Sequence, residues 1–288
     1  MPITTITPPA SMIIDVAEAR LHVRQDILEE DPRLRRAING CTRWAEGETQ
    51  RSYIARRLML TIDAFPGPTL MGVPAGVEFS LPESAVLLEH GPVLAVQSIQ
   101  YLDTGGTLQT LPATEYTATL SSLPARITPQ FGKIWPVTLP QIGAVQITFD
   151  VGMAAPVTFD IVADTMTVKG IWKTQAVGDA IRVSLSGDGT AALSAPLAEF
   201  TDYFVQAVVS PGVYKLAATL GGAAIDLTTA AVGTCYVGVV PSNVVEWLLY
   251  RVGTAFEHRE AEVAMERGNL VPLDFIDRLL DQASIRLY

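Results

Sequence analysis

The sequence predicts an α+β protein in which a helical bundle packs on a small antiparallel sheet and an all-β segment lies between them. Three patterns carry this. Residues 96–136 alternate with period two and are cut by turn residues, as short strands are. Leu34, Ile38, Cys41 and Ala45, and later Val244, Val245, Leu248, Leu249 and Val252, recur at helical spacing. Between residues 157 and 239 short alternating runs are separated by glycines, the pattern of a β-sandwich or small barrel.

The chain has 288 residues, 49% of them hydrophobic and 17% charged. That composition supports a sizeable core and excludes a disordered chain. The formal net charge is −10. Wrapping nucleic acid requires clustered Lys and Arg, so the balance argues against phosphate-neutralising binding, although an acidic wall suits a conduit to which DNA should not stick. Cys41 and Cys235 are too few for a disulfide framework or a zinc site and read as small buried apolar residues. The first residues, MPITTITPPASMIID, lack the basic-then-apolar layout of a secretory signal, and no run reaches the ~18 apolar residues of a membrane span. A soluble chain made in a cytoplasm is therefore expected.

In chain order, residues 1–14 are rich in Thr and Pro, and Pro8 with Pro9 forbids a helix. They form either a loose arm or an extended strand that docks on a neighbour. Asp15 stands at an N-cap position with Glu18 three residues on, so a helix is expected to about Gln25. A second helix restarts at Asp31 and Pro32. Gly40 within it is either a close-packing position or simply tolerated, and Trp44 is core or interface. Arg51, Arg56 and Arg57 form the densest basic stretch. They are candidates for a lumen or partner contact, set against the plainer reading of a solvated helix face with i,i+4-type ion pairs.

Leu58 to Ile62 alternate as a strand, and Val77–Leu81 and Val86–Glu89 are two further candidates. Asp103, Gly105 and Gly106 mark a tight turn, Pro112 breaks the ladder after it, and Val145, Ile147 and Phe149 end the sheet. Ser242 opens a long helix that is apolar almost all round, hence either deeply buried or shared with another subunit. Trp247 and Tyr250 on it are candidate interface residues. Leu273, Ile276 and Leu280 give a last helical stripe. The ending Ile285, Leu287, Tyr288 is apolar enough to dock on a partner.

No phosphate loop, nucleophile elbow or metal-protease motif is present, so no catalytic, cofactor or metal site is expected. His22, His90 and His258 lack ligand spacing. His258 and Glu262 share a helix face, better read as a surface ion pair. Asp103 reads as a turn residue, since calcium needs several oxygens.

The strings SIQYLDTGGTLQTLPATEY (98–116) and ARITPQFGKIWP (125–136), with Asp15 to Glu18 and Phe256 to Glu260, resemble the head–tail connector, or adaptor, proteins of tailed phages. The likeness covers roughly residues 10–153 and 240–260. It implies a structural, non-enzymatic virion protein of the neck. Such proteins form a closed, twelve-fold ring between the portal protein and a tail-side neck or tail-terminator protein, and genome DNA passes through without sequence-specific binding. No cofactor and no membrane are involved. Against that pattern residues 156–240 are an insertion, resembling a β-module of phage structural proteins, which gives a host of 1–155 and 241–288. The competing reading is a glycan-binding or adhesion protein acting through that insertion, with Trp172, Tyr203, Phe204, Tyr214 and Tyr236 as stacking rings.

Overall fold

The computed structural model describes residues 2–67, 84–257, 274–281 and 283–284. Val77–Leu81, His258, Glu262, Leu273, Ile285, Leu287 and Tyr288 lie outside them. The chain divides into two compact units. Met1–Pro8 and Arg56–Gly152 belong to one, and Pro9–Ala55 and Met153–Arg286 to the other.

The first unit is all-β among the described residues, apart from one short 3-10 turn. Strands β1 (Ile3–Thr7), β2 (Arg56–Ile62), β4 (Val93–Leu102), β5 (Leu108–Thr110) and β8 (Val145–Val151) form an antiparallel sheet ordered β1-β2-β8-β4-β5. The remaining strands, β3 (Val86–Leu88), β6 (Tyr116–Thr119) and β7 (Ala125–Pro129), form a separate sheet ordered β3-β7-β6. The expected single meander is thus two sheets. Pro112 and the 3-10 turn Ala113–Glu115 carry the chain from one to the other. Leu58, Leu60, Leu88, Ile99, Ile127, Ile147 and Phe149 from both sheets fill one core. Ladder irregularities at Val93/Ala95 and Val96/Ser98 interrupt the alternation of β4. The turn after β4 forms as expected. Asp103 Oδ1 accepts from the N–H of Gly105 and Thr107, both at 2.9 Å, and Gly106 takes φ 79°. The N-terminal arm pairs with the chain's own β2, Ile3 opposite Leu60 and Thr4 opposite Met59.

The second unit combines helices with a closed barrel. Helix α1 (Val16–His22) is capped by Asp15, whose Oδ1 accepts from Ala17 N–H at 3.0 Å. Helix α2 (Asp31–Thr49) buries Leu34, Ile38 and Ala45, the expected stripe, with Cys41 partly covered. Helix α3 (Ser242–Glu257) buries Val244, Trp247, Leu248, Leu249 and Val252, and α4 (Asp274–Asp281) adds Ile276 and Leu280. Arg33 on α2 ties α3 down by donating to the Phe256 carbonyl at 2.8 Å and lying over the Phe256 ring.

Six strands close the barrel in the order β10-β13-β12-β11-β14-β9. They are β9 (Ala154–Asp160), β10 (Thr165–Val168), β11 (Ala180–Ser186), β12 (Asp202–Ser210), β13 (Val213–Ala217) and β14 (Thr234–Gly238). The molecule is therefore α+β but richer in strand than a helical bundle on a small sheet. The helices bury their apolar faces on one another and on Ala154 and Tyr236 of the barrel, within one cluster. Gly238 permits the close meeting of β14 and β9: a Cβ there would lie 2.1 Å from the Met153 carbonyl oxygen.

Candidate assembly surface

The segment between β7 and β8 is the most conspicuous surface of the first unit. Phe131, Ile134, Val137 and Ile142 are 99%, 88%, 75% and 88% exposed. The loop that carries them is nonetheless held. Gln130 N–H donates to the Glu115 carbonyl at 2.9 Å, and Lys133 N–H to that of Gln130 at 2.8 Å. Lys133 Nζ pairs with Glu115 at 3.3 Å. Trp135 is the anchor. Its indole N–H donates to the Ser84 carbonyl at 2.7 Å, and its ring stacks on Phe65 at 4.5 Å and 6°. Leu139 N–H bonds the Leu102 carbonyl at 3.0 Å, and Gly143 N–H bonds Asp63 Oδ1 at 2.8 Å. One aromatic turned inward thus fixes four apolar side chains turned outward. Apolar side chains grouped on a constrained loop mark interaction sites, because covering them gains hydrophobic free energy at little cost in loop ordering.

The interface pair expected on α3 separates. Trp247 is 0% exposed, a core residue of its own chain, because the apolar stripe of α3 turns it toward α2. Tyr250 is 41% exposed and meets the edge of His22 at 5.8 Å. Trp44, 44% exposed, lies 5.0 Å from the Trp247 ring, with the Arg251 guanidinium 4.7 Å above it. Trp44 is thus half core and half surface. Its place in the sequence gave no warning of the stacking, which depends on a partner 203 positions away.

The three candidate arginines fall into different settings. Arg51 Nε donates to the Ala283 carbonyl, and burial lowers the guanidinium's pKa from its ordinary value. Arg57 holds Asp150 with two bonds, Nε to Oδ1 at 2.7 Å and Nη2 to Oδ2 at 3.0 Å, while Gln97 Nε2 donates to Oδ2 at 2.7 Å. Arg56, half-buried at the start of β2, is also engaged. Arg51 and Arg57 bond within the chain, and Arg56 and Arg57 lie on strand β2, so the three do not form the solvated helix face of the plainer reading.

Residues near α1 form a polar seam that spacing alone did not reveal. Asp15 N–H donates to Ser186 Oγ at 2.6 Å, and the Ser186 hydroxyl donates to Glu18. Thr234 Oγ1 donates to Asp15 Oδ2 at 2.5 Å, and Tyr236 OH donates to the Met12 carbonyl at 2.8 Å. Ser186 takes the N–H that Glu18 would have capped in a local capping box. Burial lifts the Glu18 pKa above its ordinary value, the charges of Asp15 and Glu199 add to this, and the bonds from Ser186 and the Gly187 backbone oppose it. Glu18, Glu199 and Glu246 border a cavity of about 260 Å³. Among the described residues no three His, Cys, Asp or Glu side chains are grouped to hold a metal ion, and no helix is long and apolar enough to cross a membrane. Of the five rings that a glycan site would use, Tyr203, Tyr214 and Tyr236 are buried.

Two solved chains share this fold end to end. One is a chain in the neck of an empty GTA particle computed with C6 symmetry, at TM-score 0.54 and 15% identity, covering 100% of this chain and 98% of that one. The other is a chain in the virion of a native gene transfer agent (GTA) particle, at TM-score 0.53 and 14% identity, with the same coverage. No family model and no curated protein matches the sequence. At such identities the likeness is one of fold, and it runs through the barrel segment as well as the flanking elements.

Proposed function

We propose that this chain is a structural virion protein of the neck, a head–tail connector that assembles as a ring between portal and tail. The full-length likeness of fold to a chain of a gene transfer agent neck carries the reading. The fixed apolar loop supports it, because a closed ring needs heterologous contacts and the loop offers one side of such a contact. Twelve copies are proposed, a number compatible with the six-fold averaging used for that neck. In this reading the portal protein lies on one face and a tail-side neck protein on the other. Tyr250 and the terminal Ile285, Leu287 and Tyr288 are proposed contacts. Genome DNA passes through a channel whose walls have no use for sequence-specific binding. Residues 156–240 are proposed as an insertion into the connector host, decorating the ring.

The test is imaging of purified particles whose copies carry a gold-binding tag at Val162, in the turn between β9 and β10. Gold at the head–tail junction is the expected result. Gold on the shell or on fibre tips overturns the reading, as do particles that lack the chain yet retain both genome and tails.

A further inference from the structure

We propose that in the assembled ring each copy's β1 pairs with β2 of the adjacent copy, so that the subunits are linked by exchanged N-terminal strands. This rests on the ring reading and goes beyond it by naming the contact.

Three observations carry the inference. First, β1 is an edge strand gripped almost wholly through its backbone. Four of its five residues are exposed, and Ile3 is the one that reaches the core of the sheet unit. A ladder of N–H and C=O groups is the same on every copy, so β2 of a neighbour satisfies β1 as well as the chain's own β2 does. Second, the strand belongs to a different compact unit from the residues that follow it. β1 lies with β2 in the sheet unit, whereas the chain from Pro9 belongs to the helix-and-barrel unit and rejoins the sheet unit only at Arg56.

Third, the link is short and stiff. Ala10 is already seated in the second unit, its methyl 2.9 Å from where a Cβ on Gly170 would stand, and the Met12 carbonyl accepts from Tyr236. Between Thr7 and that anchor stand only Pro8 and Pro9. Their φ angles are fixed near −65°, they lack N–H groups for a turn, and Pro8 keeps Thr7 extended. Such a link is a semi-rigid spacer of about 3 Å per residue. A stiff link resists folding back more than a flexible one does. Exchange keeps every ladder bond, is heterologous, and closes when the ring closes.

Register partners make the test direct. Thr4 stands opposite Met59, one exposed and the other half-buried. In particles carrying the full-length Thr4→Cys/Met59→Cys chain, mild oxidation followed by denaturing electrophoresis without reductant is expected to give a ladder of covalent multimers. The single variants control for Cys41 and Cys235. Monomers cross-linked within one chain, in particles whose gold label still marks the neck, overturn exchange and leave the ring reading standing. A label absent from the neck overturns both.

A mixture avoids dependence on the double variant. Particles assembled from equal amounts of Thr4→Cys chains and Met59→Cys chains should yield covalent dimers, and their absence overturns the proposal. In the double-cysteine chain, Pro8→Gly/Pro9→Gly should lower the ratio of inter- to intrachain product at least fivefold. An unchanged ratio overturns the role given to the prolines.

Discussion

Asp150 sits almost fully buried beneath the Arg57 guanidinium, with Gln97 completing its hydrogen bonds. Removing the cation strands a buried carboxylate. Arg57→Ala is therefore expected to cost about 3 kcal/mol, read as a lower urea midpoint, whereas Arg57→Met with Asp150→Leu should recover most of it. The exposed pair Arg182–Asp202 has similar bidentate bonds but faces solvent on both sides, and Arg182→Ala should leave the midpoint unmoved.

Glu18 gives a pH dependence. Its carboxyl has a higher pKa in the folded chain than the ordinary 4.5, so the folded state holds the proton more tightly. The stabilisation is complete below pH 4.5 and is lost as pH rises through the folded-state value. Glu18→Gln removes that loss. The urea midpoint of the variant should gain on the parent's between pH 4.5 and 7, and a constant difference would refute the assignment. Gly40 supplies a third residue-scale test. A Cβ there meets nothing within 4 Å, so the glycine is tolerated in α2 and does not pack. Gly40→Ala should stabilise by about 1 kcal/mol in thermal melts.

At the scale of elements, what could be read from the chain was what local chemistry decides. Asp15 caps α1, Pro32 opens α2, and Asp103 with Gly106 makes the turn, because each acts on neighbours within four residues. Strand β9 carries Pro156, which has no N–H to give a ladder. In the barrel the Pro156 carbonyl is used by Lys169 N–H, and the residue stands opposite Tyr236 of β14. The two-sheet split escaped because alternation fixes which face a residue takes, not which strand it pairs with. Trp247 escaped for a related reason: a helix apolar all round does not say whether its own chain or a second one covers it.

The outward side chains of the loop between β7 and β8 follow only from seeing Trp135 turned in. That division of labour is testable. Phe131→Ser/Ile134→Ser should change stability by less than about 0.5 kcal/mol, since neither ring nor branch is buried, yet abolish assembly as measured by sedimentation. Trp135→Ala should reduce both, through loss of the Phe65 stack and of the bond to Ser84.

At the scale of the whole molecule, charge bears on the proposed assembly. Each carries a formal net charge of −10, so bringing copies into the proposed ring would work against long-range repulsion. The contacts proposed to oppose it, apolar loop burial and strand ladders, are short-ranged and largely indifferent to salt. Added salt shortens the screening length from about 10 Å at 0.1 M to about 3 Å at 1 M, weakening the repulsion while leaving those contacts in place. Ring formation should therefore strengthen as salt rises across that range, with the half-assembly concentration falling in sedimentation runs. A protein held to DNA by phosphate contacts behaves in the opposite sense, losing affinity steeply with salt. The same −10 charge implies that duplex DNA should not be retained by the assembled ring even at low salt, in a gel-shift assay over the same series. Assembly that weakens with salt would point to ion pairs between copies as the adhesive, and would shift the contact from the Phe131 loop and β1 to the charged faces of the helices.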